Sequence, residues 1–444
     1  MDFEDSPEDA AFRAEARAWL QNNAKPRSGP NDWSRNSEHP DYIENCKRWQ
    51  HTLYEGGWAA LTWPVEYGGR GLSGWLQTIF NQEAAAYDVS TGAFAVGIGM
   101  CGPTLIAHGT EEQKQRYLPA LIRGEEVWCQ LFSEPEAGSD LAGLKTRAVK
   151  DGEEFVVNGQ KVWTSSGQIA DVGMLLARTN TDVPKHKGIT YFAFDMHQVG
   201  VDVRPLRELT GRALFSEVFL TDVTARVEDV IGGMENGWAV ANTTLAFERA
   251  GLGAGSAGAA ESAAVPGTIV GHLDKRAGDF VRVRRSAATF AVGSQLMMDV
   301  ARRHGRHTDP VVRQQIAKLH TEAEIGRYMT LRYKDLLSAG RDLPGMGNLA
   351  KLRMSEMFRQ ARELGMSLLG ARGMIHDYGD TEAADDEDAQ DRAVTDLALW
   401  SPGPSIYGGT DQVQRNILGE RVLGLPREPG DERTTPFKDL RKNA

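Results

Sequence analysis

The feature that most constrains this chain is a change of hydrophobic period, made twice. Apolar residues recur at helical spacing over the first ~125 residues, at strand-like spacing from about 127 to 228, and at helical spacing again beyond about 236. Helices, then strands, then helices cannot build alternating βαβ units. The blocks predict an α+β protein with segregated layers. The reading is an N-terminal helical domain over residues 1–125, a mostly antiparallel, barrel- or sandwich-like β domain over 126–235, and a C-terminal helical domain over 236–444.

Local signals fill in the blocks. Ser6 followed by Pro7 is an N-cap and first-turn pair, after which Phe12, Ala16, Trp19 and Leu20 share one helical face. Tyr42, Cys46, Trp49 and Leu53 repeat that spacing, and Thr110 with Gln113 forms a capping box. The Gly-rich stretch Trp63 to Gly71 reads as a connecting loop. In the middle block, Asp151-Gly152 and Asn158-Gly159 each predict a hairpin turn between β-branched runs. Farther on, Pro266 marks a helix break, Asp380 to Asp391 reads as a solvated acidic loop, and Asp411 to Leu423 as a last helix.

Composition removes several function classes. The 444 residues carry a formal net charge of -11, which argues against nucleic acid but leaves a local arginine cluster free to bind a small anion. The three cysteines, Cys46, Cys101 and Cys129, are far apart and suggest neither a zinc site nor a disulfide framework. They predict a reduced, cytoplasmic setting, and the acidic N-terminus carries no secretory leader pattern. No apolar window approaches the ~18 residues of a membrane span. The chain holds no G-x-S-x-G, no H-E-x-x-H and no phosphate loop, so the expected chemistry is carried by an organic cofactor.

Three separated motifs then carry a resemblance. QLFSEPEAGSDLAGLKTRA with NGQKVWTSSGQIADVG over residues 130–173, and IYGGTDQVQRNILGERVLGLPRE near the C-terminus, resemble the hallmark segments of the acyl-CoA dehydrogenase family, in the family's order. The resemblance implies bound FAD, an acyl-CoA substrate, and an electron-transfer flavoprotein as electron acceptor. It also implies a homodimer or homotetramer, while charge and hydropathy predict no nucleic-acid partner and no membrane span. By position in the motifs, Gln130, Ser133, Trp163 and Ser165 would contact the flavin ring, Trp163 against its face and the serines at its polar edges. Ser139, in AGSD, matches a substrate-contacting position, and the same turn can be one in which Asp140 caps the backbone. The anionic tail of FAD would meet Arg302 or Arg303, with His304 in place of the family's usual aromatic residue, together with Gln314. SLLGARGM carries Ser367 for the family's Gln and Ala371 for one Gly, while Gly370 and Gly373 still permit close backbone approach. Thr410 and Gln412 match further flavin-contacting positions.

The reaction implied is oxidation of the Cα–Cβ bond of a thioester, a base taking the α proton as hydride leaves Cβ. Many family members supply that base as a Glu at the position of Gly408, so the side chain is absent here. A second family solution puts the Glu on the helix after the β domain, in L-x-x-E-R. LAFER supplies Glu248, followed by Arg249 as a substrate contact, in an otherwise uncharged window. A surface charge pair is the plainer reading of those two residues. The N–H of Gly408 would still donate to the thioester carbonyl. The lost side chain, with Ala250, Gly251, Gly253, Ala254 and Gly255, suggests either room for a branched, long or ring-bearing acyl group or close helix packing. Rival functions are a same-fold oxidase or monooxygenase, and a non-catalytic partner subunit of a hetero-oligomeric dehydrogenase.

Overall fold

A computed structural model describes residues 5–440 apart from 29–31, 36, 38, 254–293, 340, 342, 377–388, 428, 431 and 433. Five helices come first: α1 (Pro7–Asn23), α2 (Tyr42–Glu55), α3 (Gly74–Ala84), α4 (Gly102–His108) and α5 (Glu111–Arg123). The Ser6 side chain accepts from Asp9 N at 3.1 Å, and Thr110 and Gln113 close the capping box reciprocally. The α1 stripe buries Phe12, Ala16 and Leu20, and α2 buries all four of its predicted positions. Full burial of one such side chain contributes about 1.5–3 kcal/mol. The Trp63–Gly71 connection is no plain loop, since Val65–Tyr67 forms a 3-10 turn within it.

The middle block is one seven-stranded, curled sheet: β1 (Trp128–Leu131), β2 (Arg147–Asp151), β3 (Glu154–Ser165), β4 (Val172–Arg178), β5 (Ile189–Asp195), β6 (Val201–Leu206) and β7 (Phe215–Arg226). The order is β1-β4-β2-β3-β7-β6, with β5 on β4. Pairing is antiparallel except where β4 meets β1 and β2. Asp151-Gly152 is the predicted β2–β3 hairpin turn. Asn158-Gly159 is not a turn. Both residues lie inside the 12-residue β3, where the register against β7 slips between Val157 and Gly159. The long partner strand absorbs the extra residue as a bulge and overrides the local turn preference.

The remaining helices are α6 (Gly237–Gly253), α7 (Ser294–Arg303), α8 (Pro310–Ser338), α9 (Met346–Leu369), α10 (Ala389–Trp400) and α11 (Asp411–Ile417), the last continuing as a π turn over Leu418–Val422. Pro266 and most of the acidic stretch fall outside the described residues. The end of that stretch is helical, and Asp391 is buried in the first turn of α10. One apolar cluster joins the N-terminal helices to one sheet face and to α6. A second fills the other sheet face, and a third lies among α7, α8, α9 and α10.

Two of the joints between the blocks lie at the start and the end of the C-terminal helical block. The start of α6 lies hard against β5, where a β-carbon on Gly237 would come within 2.7 Å of the Thr190 carbonyl carbon. Beyond α11 the chain returns to the β domain: Phe437 N donates to Val183 O at 2.9 Å and Lys438 N to Thr181 O at 3.1 Å. The Phe437 ring lies 3.5 Å from the guanidinium of buried Arg178, and buried Lys185 joins Glu432. All three cysteines are free and buried. Among the described residues no helix is long and apolar enough to cross a membrane.

Candidate active site

A buried ion pair ties the two β-domain motifs together. Lys161, fully buried on β3, donates to Glu134 Oε1 at 2.9 Å and to Phe132 O at 3.1 Å. Glu134 also accepts from Lys145 N at 2.6 Å and Thr146 N at 2.9 Å. Burial works against the Glu134 charge, but the Lys161 ammonium and these donors hold its carboxyl below the usual range. Burial pulls the Lys161 ammonium down. Between the two anchors, Val162 N donates to Ser133 O at 2.9 Å, so Ser133 and Trp163 sit on directly bonded segments.

Trp163 breaks the strand pattern. The β3–β7 register slips between Lys161 and Thr164, and Trp163 takes a φ of 62°. That conformation is a strained outlier for a bulky residue, and such strain collects at functional sites. The side chain is 57% exposed and touches Phe215 edge-on, with centroids 5.7 Å apart. Ser165 lies opposite Phe215 in the register, half-buried. Gln130 is half-buried on β1.

The aromatic contacts continue into the helical block. Phe215 stacks on Trp400 at 6.3 Å with 7° between planes, and Trp400 meets Tyr407 at 6.2 Å. Burial pushes the Tyr407 phenol up. This run leads from Trp163 to the turn Gly408-Gly409-Thr410, whose two glycines have φ of 63° and 80°. One face of α9 holds the turn. Ser355 Oγ donates to Pro404 O at 2.8 Å, and Arg359 reaches Ser405 Oγ and Asp411, both at 2.8 Å. Lys351 lies 3.4 Å from Asp411, and Asn348 donates to Gln414 at 2.5 Å. Thr410 caps α11 by accepting from Val413 N at 3.1 Å, while Gln412 is exposed.

Glu248 is half-buried on α6. It stands one turn past buried Thr244, hence on nearly the same helix face. The Thr244 hydroxyl lies 3.0 Å from that of Thr104 and 3.4 Å from that of Tyr191. The side chains of Arg249 and Ala250, the burial of Gly251 and Gly253, and all of Ala254 and Gly255 lie outside what is described. Ser139 is exposed. Asp140 does not cap its turn: its carboxylate instead receives Lys185 Nζ at 3.0 Å.

The residues expected at a cofactor tail lie on the surface of the helical block. Arg302, Gln314, Ser367 and Gly370 are all exposed, and Arg302 is 3.4 Å from Asp299. Its neighbours are committed elsewhere. Arg303 at 3.9 Å, His304 at 3.0 Å and Arg372 at 3.8 Å converge on Asp391. Cavities of about 580 Å³ beside Asp171 and Asp229, and about 500 Å³ beside His108 and Met234, are lined by none of the expected site residues. Sequence reasoning missed the Lys161–Glu134 pair, Phe215, Trp400 and the α9 face. The polar residues Lys161, Lys351 and Gln414 inside apolar-periodic segments were the available signal.

Comparison with known proteins closes the question of family. Models described as the acyl-CoA dehydrogenase N-terminal, middle and C-terminal domains match residues 6–125, 129–223 and 281–423. Acyl-CoA dehydrogenase IpdE1 of Mycobacterium tuberculosis is 34% identical over 424 residues, 94% of this chain and 98% of its own length. The chain belongs to the acyl-CoA dehydrogenase family. Acyl-CoA dehydrogenase FadE34 of the same organism is 38% identical over 85% of this chain and 46% of its own length. A structure described as the Tcur3481-Tcur3483 steroid ACAD superposes with a TM-score of 0.74 at 27% identity, covering 96% of this chain and all (100%) of that one. The ChsE4-ChsE5 complex of Mycobacterium tuberculosis gives 0.71 at 26% identity, covering 96% and 100%. As a member of an oxidoreductase family of flavoproteins, this acyl-CoA dehydrogenase has the family's architecture: helices, a curled half-barrel sheet, helices.

Proposed function

We propose that this acyl-CoA dehydrogenase binds FAD and oxidises the Cα–Cβ bond of a ring-bearing acyl-CoA thioester, in the cytoplasm, with an electron-transfer flavoprotein as acceptor. The observation that carries the reading is Trp163. Its indole is exposed, held at a strained φ of 62° and met edge-on by Phe215, with Ser133 on the segment bonded to Val162 and Ser165 two residues on. An open aromatic face with polar groups at its margin fits a planar ring with polar edges. FAD, when bound, supplies the two-electron acceptor for the hydride leaving Cβ.

The chain's own residues do the rest. Glu248 accepts the α proton on its carboxylate, one turn past Thr244, whose hydroxyl meets those of Thr104 and Tyr191. The Gly408 N–H donates to the thioester carbonyl oxygen, where negative charge grows as the proton departs. Ser139 and Arg249 contact the substrate. Gln130, Thr410 and Gln412 complete the ring site. Arg302, Gln314, Ser367 and Gly370, exposed on the helical surface, serve the anionic tail across a subunit interface, in a homodimer or dimer of dimers. Arg302 is better suited than Arg303, whose guanidinium faces Asp391. The absent side chain at Gly408 leaves volume for a ring. The steroid description of one solved relative supports that substrate class. A second reading, pairing with a different dehydrogenase chain, is favoured by the two-chain makeup of both solved relatives.

The test is anaerobic bleaching of the FAD-loaded protein by a panel of straight, branched and ring-bearing CoA thioesters, cyclohexanecarbonyl-CoA among them. Ring-bearing members should bleach fastest, and Glu248→Gln should slow bleaching by ~10²–10⁴ with FAD still bound. Bleaching by Glu248→Gln near the parent rate would refute the assignment of the base. Prompt peroxide release under air would favour an oxidase.

A further inference from the structure

Two adjacent glycines at the centre of a site are a liability for any group that must be held still. Gly408 and Gly409, with φ of 63° and 80°, occupy a region that glycine enters and leaves at little cost. Fixing a residue's backbone costs conformational entropy, so other contacts must hold this turn. On the N-terminal side, Tyr407 N donates to Gly403 O at 2.9 Å and the Tyr407 ring rests on Trp400. On the C-terminal side the holding group is one side chain. Gln414 Nε2 donates to Gly408 O at 2.6 Å and reaches Gly409 O at 3.4 Å.

Gln414 is itself fully buried and oriented. Its Oε1 accepts from Asn348 Nδ2 at 2.5 Å, which obliges its NH2 to face the turn. Lys351 and Arg359 seat Asp411 one turn earlier on the same short helix. With its carbonyl engaged and both flanks fixed, Gly408 keeps one free backbone group: among the described residues its N–H has no hydrogen-bond partner.

We propose that Gln414, oriented by Asn348, is a positioning residue that aims the Gly408 N–H at the thioester carbonyl. The inference rests on the proposed role of that N–H. It explains how a donor can stay aimed after the side chain at 408 has been lost. Gln414 acts only through the Gly408 peptide and touches neither substrate nor cofactor.

The experiment uses the FAD-loaded full chain and [1-13C]cyclohexene-1-carbonyl-CoA, the enoyl product of the ring-bearing reaction. Infrared difference spectra read the carbonyl stretch, which a hydrogen bond moves down. Gln414→Met keeps the side chain's length and removes the donor. It should lose at least half of the downshift seen with the parent protein. Its kcat should fall about 10- to 100-fold, as expected for a catalytic group misplaced by an ångström, with KM within about threefold and FAD retained. A full downshift together with parental kcat overturns the proposal. Should Gln414→Met fail to fold, Asn348→Leu carries the same comparison, since it removes the amide that orients Gln414 without adding a charge. It should show a broadened, partly restored band and a kcat about 3- to 10-fold down, and an unchanged band and rate would overturn the proposal. A parent protein that neither turns over thioesters nor shifts the carbonyl refutes instead the functional reading on which the proposal stands.

Discussion

Replacing Lys161 by Met should loosen the β domain where the cofactor motifs meet. Lys161 is fully buried, and Glu134 is 8% exposed. Methionine keeps the apolar stem and removes the ammonium. Glu134 is left with N–H donors from Lys145 and Thr146 at 2.6 and 2.9 Å but without its counter-charge. Breaking a buried pair from one side costs about 3–5 kcal/mol. At 1.36 kcal/mol per decade this is a ~10²- to 10³·⁷-fold faster opening. Hydrogen exchange at the amides of Lys145, Thr146 and Val162 reads that opening locally, independent of how the helical blocks unfold.

The dependence on pH has a definite sign. In the parent protein the folded-state pKa of Glu134 is depressed. Its contribution is therefore present above the unfolded carboxyl pKa and lost as pH falls through the folded value. Without Lys161, burial is opposed by the remaining N–H donors without the counter-charge, and the folded pKa rises, so the variant's deficit is full at pH 7 and shrinks as the carboxyl takes up a proton. Adding Glu134→Gln removes the stranded charge and should recover more than half of the loss. Exchange in Lys161→Met within threefold of the parent, or a double variant no better than the single, would refute this account.

Trp163→Ala should weaken FAD binding by about 1–3 kcal/mol, the range for stacking a flat ring on an aromatic side chain, without changing the circular dichroism. Titration of apoprotein with FAD tests it, and unchanged affinity would remove Trp163 from the ring site. Arg302→Ala should lower FAD affinity by about 1.5–3 kcal/mol with the thermal midpoint unmoved. Arg303→Ala should instead lower the midpoint, because Arg303, His304 and Arg372 share Asp391. The opposite pattern would exchange the two arginines' roles.

What the sequence disclosed was local. The Ser6 cap, the Thr110–Gln113 box and the stripes of α1 and α2 depend on residues three or four apart, and each is present as expected. Family motifs named Ser133, Trp163 and Gly408, and the aromatic contacts do link the latter two. What could not be read joins residues far apart in the chain. Glu134 and Lys161 are separated by 27 positions, and Asn348 and Gln414 by 66. Asn158-Gly159 misled for the same reason, since a partner strand decided its conformation. Asp391 reads as solvated from its acidic neighbours, yet it is buried where Arg303, His304 and Arg372 from other segments converge on it.

The return of the chain to the β domain has a mechanical consequence. The helical block departs from the sheet at Gly237, against the β5 backbone, and rejoins it through Glu432 and Phe437, with Lys185 and Glu432 lying 247 positions apart. An appendage on a single linker swings about that linker, which is the default for neighbouring domains. A segment held at both ends, and stacked through Trp400 on Phe215 between them, loses those rotations. Glu248 and the Gly408 turn both lie within the tethered span, whereas Ser133 and Trp163 belong to the sheet. The candidate residues on the two blocks are thus held in one register, and Phe437 over Arg178 is the latch at the far edge.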